Sequence, residues 1–191
     1  MLACPAAALL TAVACSTFDS TDTATGADAD VGDALTAATD GGVPDALVSN
    51  DGFENGSSCA GWMPENSASA TPVTSAHSGA RSCRVCAPAK YGQIAKTETV
   101  GSRSGSANLL LWVRADDDPD ASATGAAAIL FLYGVDGGRT GYQTNTAVVS
   151  TAWTQLQVTA SAGDDSASAT VVIQPSPTGC MLVDDVSLTV D

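Results

Sequence analysis

Two adjacent aspartates, Asp184 and Asp185, stand in the closing segment LVDDVSLTVD and are the first candidates for chemistry. Read as a strand, the segment places alternate residues on one face, which is predicted to be the core face: Leu182, Asp184, Val186, Leu188 and Val190. An ionised carboxylate removed from water is costly unless a cation or hydrogen-bond donors accompany it. The pattern therefore requires a cation or hydrogen-bond donors at Asp184. The candidates are a metal ion and one of three arginines, Arg81, Arg84 or Arg114, and the alternative is a frayed strand start where water still reaches the carboxylate.

Residues that could act as catalysts are few. The only histidine, His77, lies in AHSGARS, which is typical of a turn before a strand and not of a hydrolytic triad. The acidic run ADDDPDA, residues 115–121, contains a proline and has no apolar surroundings that would raise a carboxyl pKa. It is interpreted as a solvated turn that binds nothing specific. These patterns predict a protein without catalytic activity.

Six cysteines are present, and four of them follow the first 15 residues: Cys59, Cys83, Cys86 and Cys180. An even number in an exported β domain predicts two disulfides, for which three connectivities are open. The CRVC pair alone could suggest zinc, but a structural zinc site would need a second close pair. Residues 83 and 86 face opposite sides of a strand, so each is expected to pair elsewhere.

Charge excludes two classes of partner. The 191 residues contain 7 basic and 21 acidic side chains, with a formal net charge of −14. Such an acidic chain lacks the basic patch that binds the phosphates of nucleic acid, and binding to anionic membrane surfaces is disfavoured for the same reason. The length suits one globular domain and a tail.

The amino-terminal segment MLACPAAALLTAVAC, residues 1–15, predicts an export signal. Its apolar stretch is too short to span a bilayer and ends in small residues before Cys15. It resembles the leader of bacterial lipoproteins, although Ala12 stands where that family has leucine and no basic residue precedes the apolar core. An ordinary cleaved signal is the alternative. The expectation is an exported protein of the cell envelope, lipid-anchored through Cys15, or a secreted one, with no other membrane contact.

Residues 16–46 have a different composition, with seven aspartates and no basic residue. A segment this acidic and poor in large apolar residues predicts a disordered tether. Its DADVGD run does not fit a calcium loop, since Asp33 and Thr39 occupy the positions that need glycine and glutamate.

Beyond residue 46 the sequence alternates short apolar segments with turns rich in Gly, Pro and Asp. The predicted strands cover residues 47–49, 82–86, 107–115, 127–133, 146–149, 154–160, 169–174 and 181–190. This spacing predicts an all-β sandwich or barrel for residues 47–191.

Five stretches carry a family resemblance, and they occur in the family's order: LVSNDGFENGSSCAGW, HSGARSCRV, LLLWVRA, STAWTQLQV and LVDDVSL. They resemble the galactose-binding-like, jelly-roll carbohydrate-binding modules of families four, nine and twenty-two. The resemblance implies an antiparallel jelly-roll β-sandwich over residues 47–191 and a glycan ligand. It also implies that the first and last strands lie side by side next to a structural calcium ion.

The resemblance implies that Glu54 of GFE and an aspartate of VDDV are calcium ligands. Calcium prefers several hard oxygen ligands, which carboxylates and main-chain carbonyls at a strand junction can supply. Strand parity favours Asp184 over Asp185, which faces the other side.

Glycan binding in such modules uses exposed aromatic rings that stack on sugars. The resemblance assigns the three tryptophans, Trp62, Trp112 and Trp153, to packing. The predicted ligand-binding residues are therefore the tyrosines and the polar residues next to the GVDGGRTG hairpin: Tyr91, Tyr133, Tyr142, Arg139, Gln143 and Asn145. The alternative is that these tyrosines only pack at strand ends.

Two functions follow from these patterns. The first is a non-catalytic, surface-tethered module that binds a polysaccharide or other glycan and contains structural calcium. The second is a structural or adhesive envelope lipoprotein whose β-sandwich binds protein partners. The low aromatic content of 5% favours the second, and the family resemblance favours the first.

Overall fold

The computed structural model describes residues 46–54, 58–101 and 103–191. The predicted leader, its Cys15 and the predicted tether up to residue 45 lie outside the described residues. In the described ranges no helix is long and apolar enough to cross a membrane.

The described residues form strands connected by turns and loops. The strands are β1 (Ala46–Asp51), β2 (Met63–Glu65), β3 (Ser69–Val73), β4 (Ser82–Ala87), β5 (Gln93–Thr99), β6 (Gly105–Ala115), β7 (Gly125–Gly134), β8 (Arg139–Val148), β9 (Thr154–Ala162), β10 (Ser166–Ser176) and β11 (Gly179–Val190).

Two antiparallel sheets pack against each other. Sheet A has the order β3-β4-β11-β6-β9, with β1 also paired to β11, and sheet B has the order β2-β5-β10-β7-β8. The predicted antiparallel jelly-roll β-sandwich is thereby confirmed. The first and last strands lie side by side, as the family resemblance implied.

The core lies between the sheets because strict alternation sends every second side chain inward. In β7 the residues at even positions are buried and those at odd positions are half-buried on the outer face of sheet B. The buried side chains of β7 are faced from sheet A by three fully buried residues of β6: Leu109, Leu111 and Val113. Burial of such side chains contributes about 1.5–3 kcal/mol each, which makes this double layer the main source of stability.

Some strands were missed or misplaced by the sequence analysis. β2, β3 and β5 were not predicted, because MPE, SATPV and QIAKTET lack a regular alternation of apolar residues. β8 begins at Arg139, whereas the prediction began at residue 146, because its RTGYQTNT portion is polar and mostly exposed. An edge strand needs no continuous apolar face, so its composition resembles that of a loop.

Both predicted disulfides are present, and the structure settles their connectivity. Cys59 pairs with Cys83, and Cys86 pairs with Cys180. The first disulfide is buried, whereas the second joins two directly paired residues of β4 and β11. Cys83 and Cys86 pair with different partners, as their positions three residues apart in one strand predicted.

Candidate functional site

A β-bulge in β11 decides where the two closing aspartates point. Asp184 pairs with Trp112 of β6, but the next described pair joins Ser187 to Leu110, so β11 has one extra residue. Asp185 takes up this residue with a φ of 48°. A bulge reverses the facing of all later residues, and therefore Val183 and Val186 both point into the core.

The prediction that Leu182 and Asp184 lie on the core face of β11 is therefore wrong. Leu182 and Asp184 pair with Arg114 and Trp112, which alternate with the core residues of β6, so both lie on the outer face of sheet A. Asp184 is nevertheless fully buried, because the β3–β4 loop, residues 74–81, covers it.

Main-chain amides are the described partners of Asp184. Its Oδ2 accepts hydrogen bonds from the amides of His77 at 2.7 Å and Ser78 at 3.2 Å, and its Oδ1 accepts one from Asp185 at 2.8 Å. Burial raises the pKa of the Asp184 carboxyl above its ordinary value, although these amides act in the opposite direction. The partner that the sequence required for Asp184 is thus a set of main-chain N–H groups. Of the three arginine candidates, Arg84 pairs with Asp116 and Arg114 pairs with Asp117.

Two further carboxylates bind the same loop. Asp185 accepts the Ser78 hydroxyl at 2.6 Å and lies 2.6 Å from Nδ1 of His77. Glu54 Oε1 accepts the amides of Ala80 and Arg81 at 2.9 and 3.0 Å. We call Glu54, Asp184 and Asp185 the carboxylate junction, because together they attach the β3–β4 loop to the two ends of the domain.

A glycine in the loop is required for this arrangement. Gly79 has a φ of 66°, and a side chain there would place its Cβ 2.2 Å from Oε1 of Glu54. Glycine alone accepts this conformation at low cost and also leaves room for the carboxylate.

The carboxylate junction supplies the ligand atoms that calcium prefers. A methyl group added to Gly52 would lie 3.7 Å from Oδ1 of Asp185 and 3.8 Å from Oδ1 of Asp184, so both oxygens surround one point near the end of β1. The side-chain oxygens of the three junction carboxylates do not all lie within 4.8 Å of one another. In the described part of the chain only Cys86, Asp116 and Cys180 form such a group, and there the two sulfurs are joined in a disulfide and cannot bind a metal. A calcium ion at the junction would therefore combine part of the carboxylate set with main-chain oxygens.

An aromatic cluster covers the junction on the outer face of sheet A. The His77 ring stacks on Trp112 with centroids 3.9 Å apart, and it meets Trp153 edge-on at 5.7 Å. The prediction that all three tryptophans pack in the core is confirmed only for Trp62, which is buried. Trp112 and Trp153 are half-buried on the outside of sheet A.

The cluster of Ser78, His77 and Asp185 does not have the geometry of a hydrolytic triad. A triad needs the hydroxyl to hydrogen-bond to the imidazole, which then receives its proton. Here the Ser78 hydroxyl and the His77 ring both bind the Asp185 carboxylate. The arrangement attaches the loop to β11 and provides no activated nucleophile.

The DDDPD turn is only partly solvated, in contrast to the prediction. Asp116 is 8% exposed and forms an ion pair with Arg84, while the exposed Asp117 pairs with Arg114. Burial would raise the pKa of the Asp116 carboxyl, but the Asp118 amide and the Arg84 guanidinium together bring it below its ordinary value. Asp116 is therefore an ionised, structural side chain.

The outer face of sheet B carries a second aromatic cluster. Strand register places Thr97, Thr170, Phe131 and Tyr142 in one row across β5, β10, β7 and β8. The hydroxyls of Thr97 and Thr170 lie 2.8 Å apart, and the rings of Phe131 and Tyr142 have centroids 5.2 Å apart. The row thus has hydroxyl groups at one end and aromatic rings at the other.

Three of the predicted ligand-binding residues meet in this cluster. The ring centroids of Tyr133 and Phe131 lie 6.2 Å apart, and the Arg139 guanidinium carbon lies 5.6 Å from the ring of Tyr142. Phe131 was missed, although the alternation in AAAILFLYG places it on the same face as Tyr133.

The other three predicted ligand-binding residues lie elsewhere. Gln143 and Asn145 pair with the inward-facing Leu130 and Ala128, so they are directed away from the cluster, and Asn145 Nδ2 donates to the carbonyl of Gln157 in β9 at 3.0 Å. Tyr91 is 59% exposed in the β4–β5 turn, with its carbonyl bound by Asn66.

Comparison with known proteins was informative only at the level of structure. No protein-family model and no curated protein matches the chain. The CBM22-1 xylan-binding domain of Paenibacillus barcinonensis Xyn10C superposes with a TM-score of 0.59 at 15% identity, over 77% of this chain and 95% of that domain. A family 16 carbohydrate-binding module superposes with a TM-score of 0.55 at 19% identity, over 75% of this chain and 99% of the module.

Some of the similar structures belong to longer enzymes. A structure of the Clostridium thermocellum xylanase 10B that contains its CBM22-1 and GH10 modules matches with a TM-score of 0.57 at 17% identity, and the match covers 76% of this chain but only 28% of the chain in that structure. The described domain therefore has the fold of carbohydrate-binding modules. At this level of identity the likeness establishes the fold alone.

Proposed function

We propose that this chain is a non-catalytic glycan-binding module whose ligand lies on the outer face of sheet B. The observation that carries the proposal is the row formed by Thr97, Thr170, Phe131 and Tyr142. Two of the similar structures described above are a xylan-binding domain and a carbohydrate-binding module, which supports the choice of a glycan.

The chemistry of the row suits a sugar chain. Aromatic rings pack against the C–H face of a pyranose, and hydroxyl and guanidinium groups bond to its hydroxyls. Four adjacent strands span three inter-strand spacings, about 14 Å, so the row extends beyond a single sugar ring. Its aromatic end is partly open to solvent, since Tyr142 is 47% exposed.

Replacement of the two tyrosines tests this site. Tyr133→Ala and Tyr142→Ala are each expected to weaken glycan binding about tenfold, since a lost stacking contact is worth about 1.4 kcal/mol. A glycan array followed by calorimetric titration of the best ligand measures the effect. Val135→Ala, which removes an 86% exposed apolar side chain in the β7–β8 turn, is the matched control. An array without any binding would contradict the proposal and favour a protein partner.

We also propose that a structural calcium ion binds at the carboxylate junction. Glu54 and Asp184 would hold it together with main-chain oxygens, and its charge would also offset the neighbouring Asp185 carboxylate, which binds the same loop. The ion would stabilise the contact between the β3–β4 loop and β11 and take no part in chemistry.

Thermal melts test the calcium proposal. At ten to a hundred times its dissociation constant, calcium is expected to add about 1.4–2.7 kcal/mol to folding by mass action, so the melting temperature rises with calcium and falls with chelator. Glu54→Gln and Asp184→Asn should each abolish that difference, whereas Asp118→Asn in the DDDPD turn should preserve it. A melting temperature that is insensitive to both calcium and chelator would contradict the proposal.

We propose that the module acts outside the cytoplasm, because two disulfides are typical of proteins in oxidising compartments and residues 1–15 resemble an export leader. We propose that Cys15 carries a lipid anchor. A Cys15→Ala variant is expected to leave the membrane fraction, and an unchanged distribution would favour an ordinary secretory signal.

A further inference from the structure

The outer face of sheet A also carries a row of polar and aromatic side chains. Register places Thr71, Arg84, Leu182 and Arg114 side by side across β3, β4, β11 and β6. The row ends at Trp153, whose ring centroid lies 5.6 Å from the Arg114 guanidinium. This face lies on the opposite side of the sandwich from the tyrosines of sheet B.

Each arginine of the row is held in place by an aspartate of the DDDPD turn. Arg84 Nε pairs with Asp116, and Arg114 Nη2 pairs with Asp117. The pairs fix both guanidinium groups, while the Arg84 side chain remains 35% exposed and that of Asp117 68% exposed. Positioned donors and acceptors of this kind bind hydroxyl groups without a large loss of side-chain entropy.

A depression of about 320 Å³ opens between the row and the start of the β3–β4 loop. Its walls include Thr74, Ser75, Arg84, Asp116 and Asp117. Guanidinium, carboxylate and hydroxyl groups thus surround one space whose floor is the apolar side chain of Leu182.

We propose that this depression is a second glycan-binding site, which takes one ring of a neutral sugar chain. Arg84 and Asp116 line the depression and neutralise each other, and the third charged group of its wall, Asp117, is neutralised by Arg114 in the neighbouring row, so the site has no net charge with which to select an anion or a cation. Paired guanidinium and carboxylate groups donate to and accept from neighbouring hydroxyls of a sugar. Trp153, at the end of the row, packs against the next ring of the chain.

The consequence is a module with two binding faces. Because the two sites lie on opposite faces of the sandwich, one domain can bind two sugar chains at once. Such a module cross-links chains or binds a chain bundle with higher avidity than either site alone.

Tryptophan fluorescence tests the second site separately from the first. Trp62 is buried, Trp112 and Trp153 lie on the outer face of sheet A, and none of the three lies on the outer face of sheet B. The full chain is titrated with the hexasaccharides of xylose, glucose and mannose, at constant calcium. At least one of them is expected to change the tryptophan emission, in the wild type and equally in the Tyr133→Ala/Tyr142→Ala variant.

Two variants of the second site complete the experiment. Asp117→Ala removes an exposed carboxylate, and Thr74→Phe fills the depression from an exposed position. Each is expected to raise about tenfold the dissociation constant obtained from the emission titration. Ser161→Ala, at an exposed position near the end of β9, is the control and should leave the response unchanged.

Each outcome decides for or against the second site. The second site is overturned if the tryptophan emission is unchanged by all three hexasaccharides, or if the response disappears in the double tyrosine variant. A response that survives the double tyrosine variant, combined with total binding that the variant does not change, supports the second site and contradicts the site on sheet B.

Discussion

Asp184→Asn is expected to lower the free energy of unfolding by about 2–4 kcal/mol, although the two side chains have nearly the same shape. The carboxylate accepts three amide hydrogen bonds through two oxygens, while asparagine offers one oxygen and turns an NH₂ group toward the remaining donors. A buried amide without an acceptor costs about 1–3 kcal/mol, and the site is fully buried. Equilibrium unfolding in urea measures the loss.

The control for this substitution is Asp120→Asn in the exposed part of the DDDPD turn. It makes the same chemical change where water can replace any lost contact, and is expected to alter stability by less than about 0.5 kcal/mol. Equal effects at the two positions would show that the amides of the β3–β4 loop do not depend on Asp184.

The strands that form the two inner faces could be predicted from the sequence, since β6 and β7 contain the continuous apolar runs LLLWV and AAAILFLY, and β9 begins with alternating polar and apolar residues. The short β2 and the polar β3 could not, because each pairs along only one edge and needs little apolar surface. β8 is the intermediate case. Only its alanine and valine end was recognised as strand, and its polar beginning, which carries Arg139 and Tyr142, was not.

The closing strand shows why the candidate site was only partly predictable. The predicted faces assumed that residues of a strand alternate without interruption. The extra residue at Asp185 breaks that alternation, so Leu182 and Asp184 lie on the outer face of sheet A while Val186, Leu188 and Val190 lie in the core. The need for a partner at Asp184 was nevertheless correctly inferred, because it follows from burying a carboxylate and not from the face on which it lies.

Long-range contacts explain the rest of the difference. His77 and Asp184 are 107 residues apart, and no local pattern in AHSGARS indicates that its amides bind a distant carboxylate. Trp112 lies on the outer face of sheet A and not in the predicted core, because it alternates with the buried Leu111 and Val113 of β6, and its contact there is the ring of the distant His77. By contrast, Tyr133 and Tyr142 were predicted together because a short hairpin joins their strands.

Removal of the Cys86–Cys180 disulfide is expected to cost more stability than removal of Cys59–Cys83. The two bridges close loops with sequence separations of 94 and 24, and the loops do not overlap in the chain. The restriction that each places on the unfolded chain is worth about 4.7 and about 3.5 kcal/mol respectively. Double alanine variants of each pair, unfolded in urea, measure the two losses, and unreduced wild-type protein should be four hydrogens lighter by mass spectrometry than its reduced form.

The order of the two losses separates chain entropy from packing. Cys83 is fully buried and Cys59 is 4% exposed, so alanine at those positions also leaves unfilled space in the core. Cys86 is half-buried on the outer side of β4, where truncation leaves a smaller cavity. If the Cys59–Cys83 variant is the less stable of the two, core packing outweighs the longer loop. If the Cys86–Cys180 variant is less stable by about 1 kcal/mol, restriction of the unfolded chain accounts for the difference.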